Sequence, residues 1–276
     1  MAEITAADVA KLRKACGAGM MDCKNALVES NGDFDKAIEL IRERGKAIAN
    51  KRADREAGEG AAIAKVNAAG NHGAMVVLNC ETDFVAKNND FVALAQSILD
   101  VALDKKPADL DALKALEING RKIVDLVMNQ SGVTGEKFEL SFYDKIDAAK
   151  VVAYIHPGNK LATLVGLNKA DVDTQIGKDV AMQVAAMSPV AVDKDNVSEE
   201  LRKKEFEIGR EQARLEGKPE NMLDKIAEGK LQKFYKESTL LNQDFVKDNK
   251  MTIRQYLQSI NKELTVTGFK RVSLNA

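Results

Sequence analysis

The sequence lacks the features of membrane-spanning, secreted and nucleic-acid-binding proteins. No stretch approaches the roughly 18 uncharged apolar residues that a helix needs to cross a membrane. The N-terminus carries Glu3, Asp8 and Lys11, where a signal peptide would be apolar. The 41 basic and 42 acidic residues leave a net charge of −1, so no overall field attracts nucleic acid or an anionic membrane. We therefore expect a cytoplasmic protein with no nucleic-acid or membrane partner.

Cysteine is scarce, and its spacing argues against a disulfide framework. Cys16, Cys23 and Cys80 form an odd set without a C-x-x-C pair. Such a set is typical of free thiols in a reducing compartment. We expect no structural disulfide.

Motifs for nucleotide binding and catalysis are also missing. The chain has neither the G-x-x-x-x-G-K-[ST] phosphate loop nor G-x-G-x-x-G, so it should not be a GTPase. His72 and His156 lie in predicted turns and are not at metal-ligand spacing. A Cys80–His156 nucleophile pair stays open, although Cys80 ends an apolar strand, where a buried inert thiol is more usual. We expect no enzyme activity, cofactor or metal.

The first 45 residues predict three short helices. Thr5 begins a capped amphipathic helix that ends near Gly17, and two more helices are predicted over residues 20–29 and 33–45. The last of these should be closed by Gly45. This arrangement resembles a ubiquitin-associated-type fold.

A change of composition follows these helices. Residues 46–60 are charged and poor in large apolar groups, which indicates a linker or a solvated helix. We call residues 1–55 the head domain.

From residue 61 the pattern becomes a weak internal repeat of strand, strand and helix. Its two copies cover residues 61–66, 74–80 and 90–103, and residues 150–155, 161–167 and 173–187. We expect an α+β fold whose core has two repeated antiparallel subdomains. The predicted boundaries are 56–140 for the first, and 141–197 with 238–276 for the second.

Three further segments complete the prediction. Residues 110–128 indicate one helix, residues 136–146 a strand, and residues 263–272 a strand that completes the second sheet. Residues 198–237 predict an inserted helical hairpin, a coiled coil.

Leu201, Ile208 and Leu215 recur every seven residues before a break at residues 217–219. The thin apolar seam should consist of these residues and of those that follow the break, Leu223, Ile226, Leu231 and Phe234. Charges on the outer faces leave two interpretations open: an isolated arm or a surface for self-association.

The connection between the first predicted strand pair and its helix is unusual. It sets Asp83 beside Phe84 on a polar segment, and the second copy has no counterpart. Composition alone favours burial of such a ring in the core, because burial is worth about 1.5–3 kcal/mol. The alternative is that Phe84 is presented to another molecule.

A resemblance supports that alternative. The run NCETDFVAKN at residues 79–88 closely resembles the signature of the elongation factor Ts family, the guanine-nucleotide exchange factors of elongation factor Tu. Further similar runs are GAGMMDCK at 17–24, HPG at 156–158, GKPE at 217–220 and VTGF at 266–269. The resemblance therefore covers nearly the whole chain.

The resemblance implies a function and a set of contact residues. The chain should bind elongation factor Tu with GDP and promote exchange of GDP for GTP by disturbing the magnesium and phosphate site. The residues implied at that site are Thr82, Asp83, Phe84 and Val85, and further contacts are implied for Arg13, Met20, Met21 and His156.

Other interpretations stay open beside this one. Met20 and Met21 could fill the core of the head domain, and Arg13 could be a solvated helix charge. Some family members use the hairpin for dimerisation, so a homodimer is considered. The alternative function is a non-catalytic adaptor or dimerising protein that binds through the head domain.

Overall fold

The structure is a computed structural model that describes residues 4–52 and 54–274, apart from the side chain of Ala49. Glu3 lies outside the described residues. So do the first residues of the predicted head domain and the last residues of the predicted second subdomain. The described part contains helices and antiparallel sheets, which confirms the α+β class. None of its helices is both long enough and apolar enough to span a membrane.

The helices and the strands are numbered separately, each in chain order. The α-helices are α1 Ala6–Cys16, α2 Met20–Glu29, α3 Phe34–Lys51, α4 Asp83–Ala86, α5 Asn89–Lys105, α6 Leu110–Ala115, α7 Ile123–Thr134, α8 Thr174–Met187, α9 Glu199–Leu215, α10 Leu223–Ser238 and α11 Ile253–Ile260. The strands are β1 Glu59–Val66, β2 His72–Cys80, β3 Glu117–Ile118, β4 Arg121–Lys122, β5 Glu139–Asp147, β6 Lys150–Ile155, β7 Leu161–Leu167, β8 Asp244–Phe245, β9 Asp248–Thr252 and β10 Val266–Ser273.

Helices α1 to α3 pack around a small core of their own. Thr5 caps α1 as predicted, because its hydroxyl accepts from the N–H of Asp8 while the Asp8 carboxylate accepts from the N–H of Thr5. The buried residues of this core, which include one from the turn between α1 and α2, are Val9, Leu12, Ala18, Cys23, Ala26, Leu27, Ala37 and Ile41.

The sequence predicts that the third helix ends at Gly45, but α3 continues to Lys51. Gly45 lies at a close crossing with α7, where an added Cβ would be 3.5 Å from the Cα of Gly132. A Cβ on Gly132 would overlap the Cα of Gly45. The crossing therefore requires the missing side chain at Gly132, and Gly45 lies within α3 without ending it.

Two three-stranded antiparallel sheets form the centre of the molecule. Their strand orders are β1-β2-β5 and β6-β7-β10, so β10 completes the second sheet as predicted. The predicted strand, strand and helix order occurs twice, with α5 on the first sheet and α8 on the second.

The two sheets pack face to face. Along β2, Val76 and Leu78 face the cluster that includes α5, while Met75 and Val77 contribute to a cluster shared with β6 and β7. At Gly73 an added Cβ would lie 2.8 Å from a side-chain carbon of Leu164. The layers are therefore α5, first sheet, second sheet and α8.

Several details of the core differ from the predictions. Strand β5 crosses the predicted boundary at residues 140 and 141 and pairs with β2, so we propose that the first subdomain extends through Asp147. His72 lies in β2, not in a turn, and is fully buried with its Nδ1 2.7 Å from an Asp147 oxygen.

The predicted single helix at 110–128 is two helices, α6 and α7, separated by the β3–β4 hairpin. Asn119 and Gly120 both have positive φ there, 52° and 75°. An Asn-Gly pair suits such a tight turn, and this local signal outweighs the helical period.

The inserted hairpin is formed by α9 and α10. The predicted seam is correct for Leu223 and Leu231 of α10, which are buried, but wrong for two residues of α9. Ile208 is 40% exposed and Leu215 is 80% exposed. Gly209 and Ala213 are buried instead, and a Cβ on Gly209 would be 3.4 Å from the Cα of Ala227. These small residues of α9 let the two backbones approach closely, while Ile208 and Leu215 lie outside the contact.

Candidate functional site

The connection from β2 to α5 carries the most exposed large apolar side chain described, Phe84, at 84%. Residues 82–85, which we call the Phe84 loop, form the start of the short helix α4, and the Thr82 hydroxyl accepts from the N–H of Val85 at 3.4 Å. Val85 packs against the core of the first subdomain. Phe84 is therefore not a core residue.

Two carboxylates hold the residues at the start of this loop. Glu136 accepts from the Thr82 hydroxyl at 2.6 Å and from the Thr82 N–H at 3.1 Å. Glu81 accepts from the Arg52 and Arg55 guanidinium groups at 2.9 and 3.0 Å and from the N–H of Lys137 at 2.6 Å.

Glu81 is held in its charged form by these donors. Burial by itself would raise the pKa of the carboxyl, but the Lys137 N–H and the two guanidinium groups outweigh burial and lower the pKa to about 2. Glu81 is therefore ionised at neutral pH and fixed between three segments of the chain.

Asp83 at the start of α4 and Lys87 directly after its end form an exposed ion pair. The Lys87 ammonium donates to Asp83 Oδ2 at 2.7 Å, and this hydrogen bond lowers the pKa of Asp83. Pairs in such exposed positions are weak. The Asp83 carboxylate is therefore charged, accessible and easily released from its partner.

His156 lies in the exposed turn between β6 and β7, where its Nδ1 is 2.9 Å from the Tyr154 hydroxyl. The same turn contacts β1, because Lys160 pairs with Glu59 at 2.9 Å. Lys160 also contributes to lowering the pKa of Asp83. The structure therefore brings the turn of His156 to the end of the molecule that carries the Phe84 loop.

The predicted contact residues of the head domain are also exposed. Met20 is 47% and Met21 64% exposed, so neither fills the core, and Arg13 is exposed on α1. Cys16 and Gly17 line a cavity of about 390 Å³ together with Val85. The turn that leads into α2 thus lies next to the Phe84 loop.

The residues that support the loop have little signal in the sequence. The composition of residues 46–60 indicates a linker or a solvated helix, whereas the side chains of Arg52 and Arg55 both bind Glu81. Glu136 gave no local signal, because it is 54 positions from Thr82. Among these residues only Glu81 has a local signal in the sequence, because it directly precedes the capping residue Thr82.

The surroundings of Cys80 do not favour a nucleophile. Burial raises the pKa of the Cys80 thiol to about 12, so the thiol stays protonated and is a poor nucleophile. Within residues 4–52 and 54–274 no group of three or more His, Cys, Asp and Glu side chains could hold a metal ion.

Comparisons with known proteins agree with the signature. Residues 81–276 match the family model described as Elongation factor TS. The elongation factor Ts of Porphyromonas gingivalis is 55% identical over 274 residues, which is 99% of each chain. That of Amoebophilus asiaticus is 53% identical over 275 residues, again 99% of each chain. That of Christiangramia forsetii is 50% identical over 275 residues, 99% of this chain and 100% of the relative. The chain belongs to the elongation factor Ts family.

Proposed function

We propose that the chain binds elongation factor Tu with GDP, promotes GDP release and so permits exchange for GTP. Membership in the family implies nucleotide exchange on this partner. The observation that carries the proposal is the 84% exposure of Phe84 on a short helix whose base is fixed by Glu81 and Glu136. An aromatic ring held outward in this way is suited to burial in a partner.

Phe84 enters an apolar slot between helices of the partner. Asp83 then lies near the magnesium ion and disturbs its coordination electrostatically, because a bound cation dominates the local field. Thr82 and Val85 hold α4 in place, one through Glu136 and the other through the core. The weak Asp83–Lys87 pair opens readily when Asp83 approaches a stronger positive charge.

The loop alone is not sufficient for this function. Burying one Phe is worth about 1.5–3 kcal/mol, which is roughly a tenfold to hundredfold shift. Inverting a strongly biased equilibrium takes about 5.5 kcal/mol. Contacts from Arg13, Met20, Met21 and His156 supply the rest, in agreement with the nearness of their turns to the loop.

The chain acts through binding and not through chemistry of its own. It lacks the phosphate-loop motif, so we expect it to bind no nucleotide of its own. Because coupling between two sites is reciprocal, GTP entry into the partner weakens the complex and releases the exchange factor. We place this cycle in the cytoplasm, with the head domain as a ubiquitin-associated-like docking module.

Release of fluorescent GDP from elongation factor Tu tests the proposal. The chain should accelerate release, and Phe84→Ala should slow the stimulated release about tenfold, the lower limit for losing one buried ring. Ile260→Ala is the control, because Ile260 is also an exposed apolar residue, at 44%, but lies at the end of α11. Unaccelerated release by the native chain, or equal rates for the two variants, contradicts the proposal.

A second role, self-association through the hairpin, has one observation in its favour. Ile208, Leu215 and Met222 are exposed apolar residues on or between α9 and α10. Sedimentation of the native chain and of Leu215→Ser over a range of concentrations tests it. A native dimer that the substitution weakens supports the hairpin interface, and a native monomer rules it out.

A further inference from the structure

We propose that Arg52, Arg55 and Glu81, together called the brace, are positioning residues that hold the Phe84 loop ready for its partner. The inference rests on the proposed function, and it assigns a role in exchange to the segment that follows α3. In this view the segment does more than join the head domain to the core.

The brace connects three separated parts of the chain at one carboxylate. Arg52 and Arg55 follow α3, while the Lys137 N–H lies just before β5. The Lys137 ammonium also donates to the Arg55 carbonyl at 3.1 Å, which ties the same two segments together a second time. The Glu81 side chain at their centre is only 14% exposed.

The position of Glu81 in the chain gives the brace its influence on the loop. Glu81 directly precedes Thr82, which caps α4, and Thr82 is held by Glu136. Two successive residues at the base of α4 are thus fixed by charge-assisted hydrogen bonds, which are stronger and more directional than neutral ones. The helix itself has only four residues, so its direction depends on its base.

A fixed base matters because Phe84 has to enter its slot in one orientation. If the loop were free, binding would have to order it, and the lost conformational entropy would be subtracted from the gain of burying Phe84. Planar guanidinium groups are suited to this role, because their donors have a rigid geometry.

The second copy of the repeat shows that the scaffold does not require such a brace. Its connection, residues 168–173, contains no aromatic residue and no arginine. Asn168 fastens it to the chain near β10 through the Glu263 carbonyl at 2.8 Å and the Thr265 N–H at 2.9 Å. The brace therefore occurs in the connection that carries the exposed Phe84 ring and is not a general requirement of a strand-to-helix connection.

The test measures stimulated release of fluorescent GDP from elongation factor Tu over a range of exchange-factor concentrations. In the double variant Arg52→Gln/Arg55→Gln the maximal rate should fall about fivefold, the effect of losing charge-assisted hydrogen bonds. The half-saturating concentration should change less than about twofold, because the head domain and the turn of His156 still bind. Arg52→Lys/Arg55→Lys keeps the charge and should restore part of the rate.

The matched control is Arg44→Gln in α3, which breaks an exposed pair with Glu29 at the end of α2. It should leave the maximal rate unchanged. Glu81→Gln is a second test of the brace from the other side. Melting curves establish that each variant is folded. If Glu81→Gln does not fold, the double arginine variant still tests the brace, because it keeps the hydrogen bond from the Lys137 N–H to Glu81.

A double-mutant cycle with Phe84→Ala separates positioning from a general structural effect. If the brace acts through Phe84, the arginine substitutions should slow release less than about twofold further in the Phe84→Ala background. An unchanged maximal rate in the folded arginine variants, or an equal loss in both backgrounds, overturns the inference. Failure of Phe84→Ala itself to slow release refutes the proposed function instead.

Discussion

The two copies of the strand, strand and helix unit differ most where the second strand leads into the helix. In both copies a side chain caps the helix: Asn88 accepts from the Asp90 N–H at 2.8 Å, and Asp173 accepts from the Gln175 N–H at 2.8 Å. The first connection inserts the short helix α4 between strand and cap, whereas the second runs directly through residues 168–173.

This difference separates what the scaffold needs from what binding needs. The shared caps, the sheets and the covering helices recur because each copy has to bury one face of its sheet. The exposed Phe84 ring occurs in the first copy, where folding gains little from it. We therefore expect the function to lie in the part of the first connection that the second copy lacks, the short helix α4 with Phe84.

The strongest way to break the comparison is to give the first copy the connection of the second. Replacing residues 81–88 by the sequence of residues 168–173 removes α4 and Phe84 but keeps a capping side chain. Stimulated GDP release should fall to the rate of elongation factor Tu alone, while circular dichroism should remain that of a folded chain. Stimulation that persists in the chimera means that the extra helix is not the acting element.

A second test compares two phenylalanines on either side of the cap. Phe91 is 4% exposed and stacks edge-on against Phe138 with ring centres 5.1 Å apart. Phe91→Ala should lower the free energy of unfolding by about 3–5 kcal/mol, because it leaves a cavity in the first core. Phe84→Ala should barely change it. A large loss of stability in thermal melting of Phe84→Ala would return this ring to the core.

Lowering the pH should reduce the stability of the first subdomain, because the Glu81 carboxylate becomes protonated. The pKa of Glu81 is about 2 in the folded chain, below its usual value of about 4.5, because the Lys137 N–H and two arginines outweigh its burial. Its contribution to stability is therefore complete above about pH 4.5 and is lost as the pH falls toward 2.

Chemical denaturation at several pH values measures this loss. Glu81→Gln should flatten the dependence between about pH 4.5 and 2, since the amide cannot take up the proton. Asp104→Asn, at an exposed pair with Lys105, is the control. Equal slopes for native chain and Glu81→Gln contradict the assignment.

The smallest expected effect is that of the charge on α4. Asp83→Asn should melt like the native chain, because Asp83 and Lys87 are both exposed. It should slow GDP release about twofold, since only an electrostatic effect near the magnesium ion is lost. Lys87→Gln should not slow release, because it leaves the Asp83 carboxylate unpaired. Slower release in Lys87→Gln would indicate that the ion pair, and not the carboxylate alone, takes part.

Much of the fold was predictable where the signal lies within one element. The Thr5 capping box begins α1, the repeated strand pattern gives β1, β2, β6 and β7, and a run of ten residues gives the family. Where two local signals competed, the prediction was wrong: Asn119 and Gly120 interrupt a helical period that continues on both sides of them.

The sequence by itself determined the repeat, the capped helices and the unusual residue pair Asp83 and Phe84, because backbone preferences and periodic burial act over a few positions. Only the tertiary structure decided that Gly45 packs against Gly132, that small residues and not Ile208 close the hairpin, and that Glu136 supports Thr82. These contacts join residues far apart in the chain, and their stabilisation depends on geometry that forms only when the helices and sheets have packed.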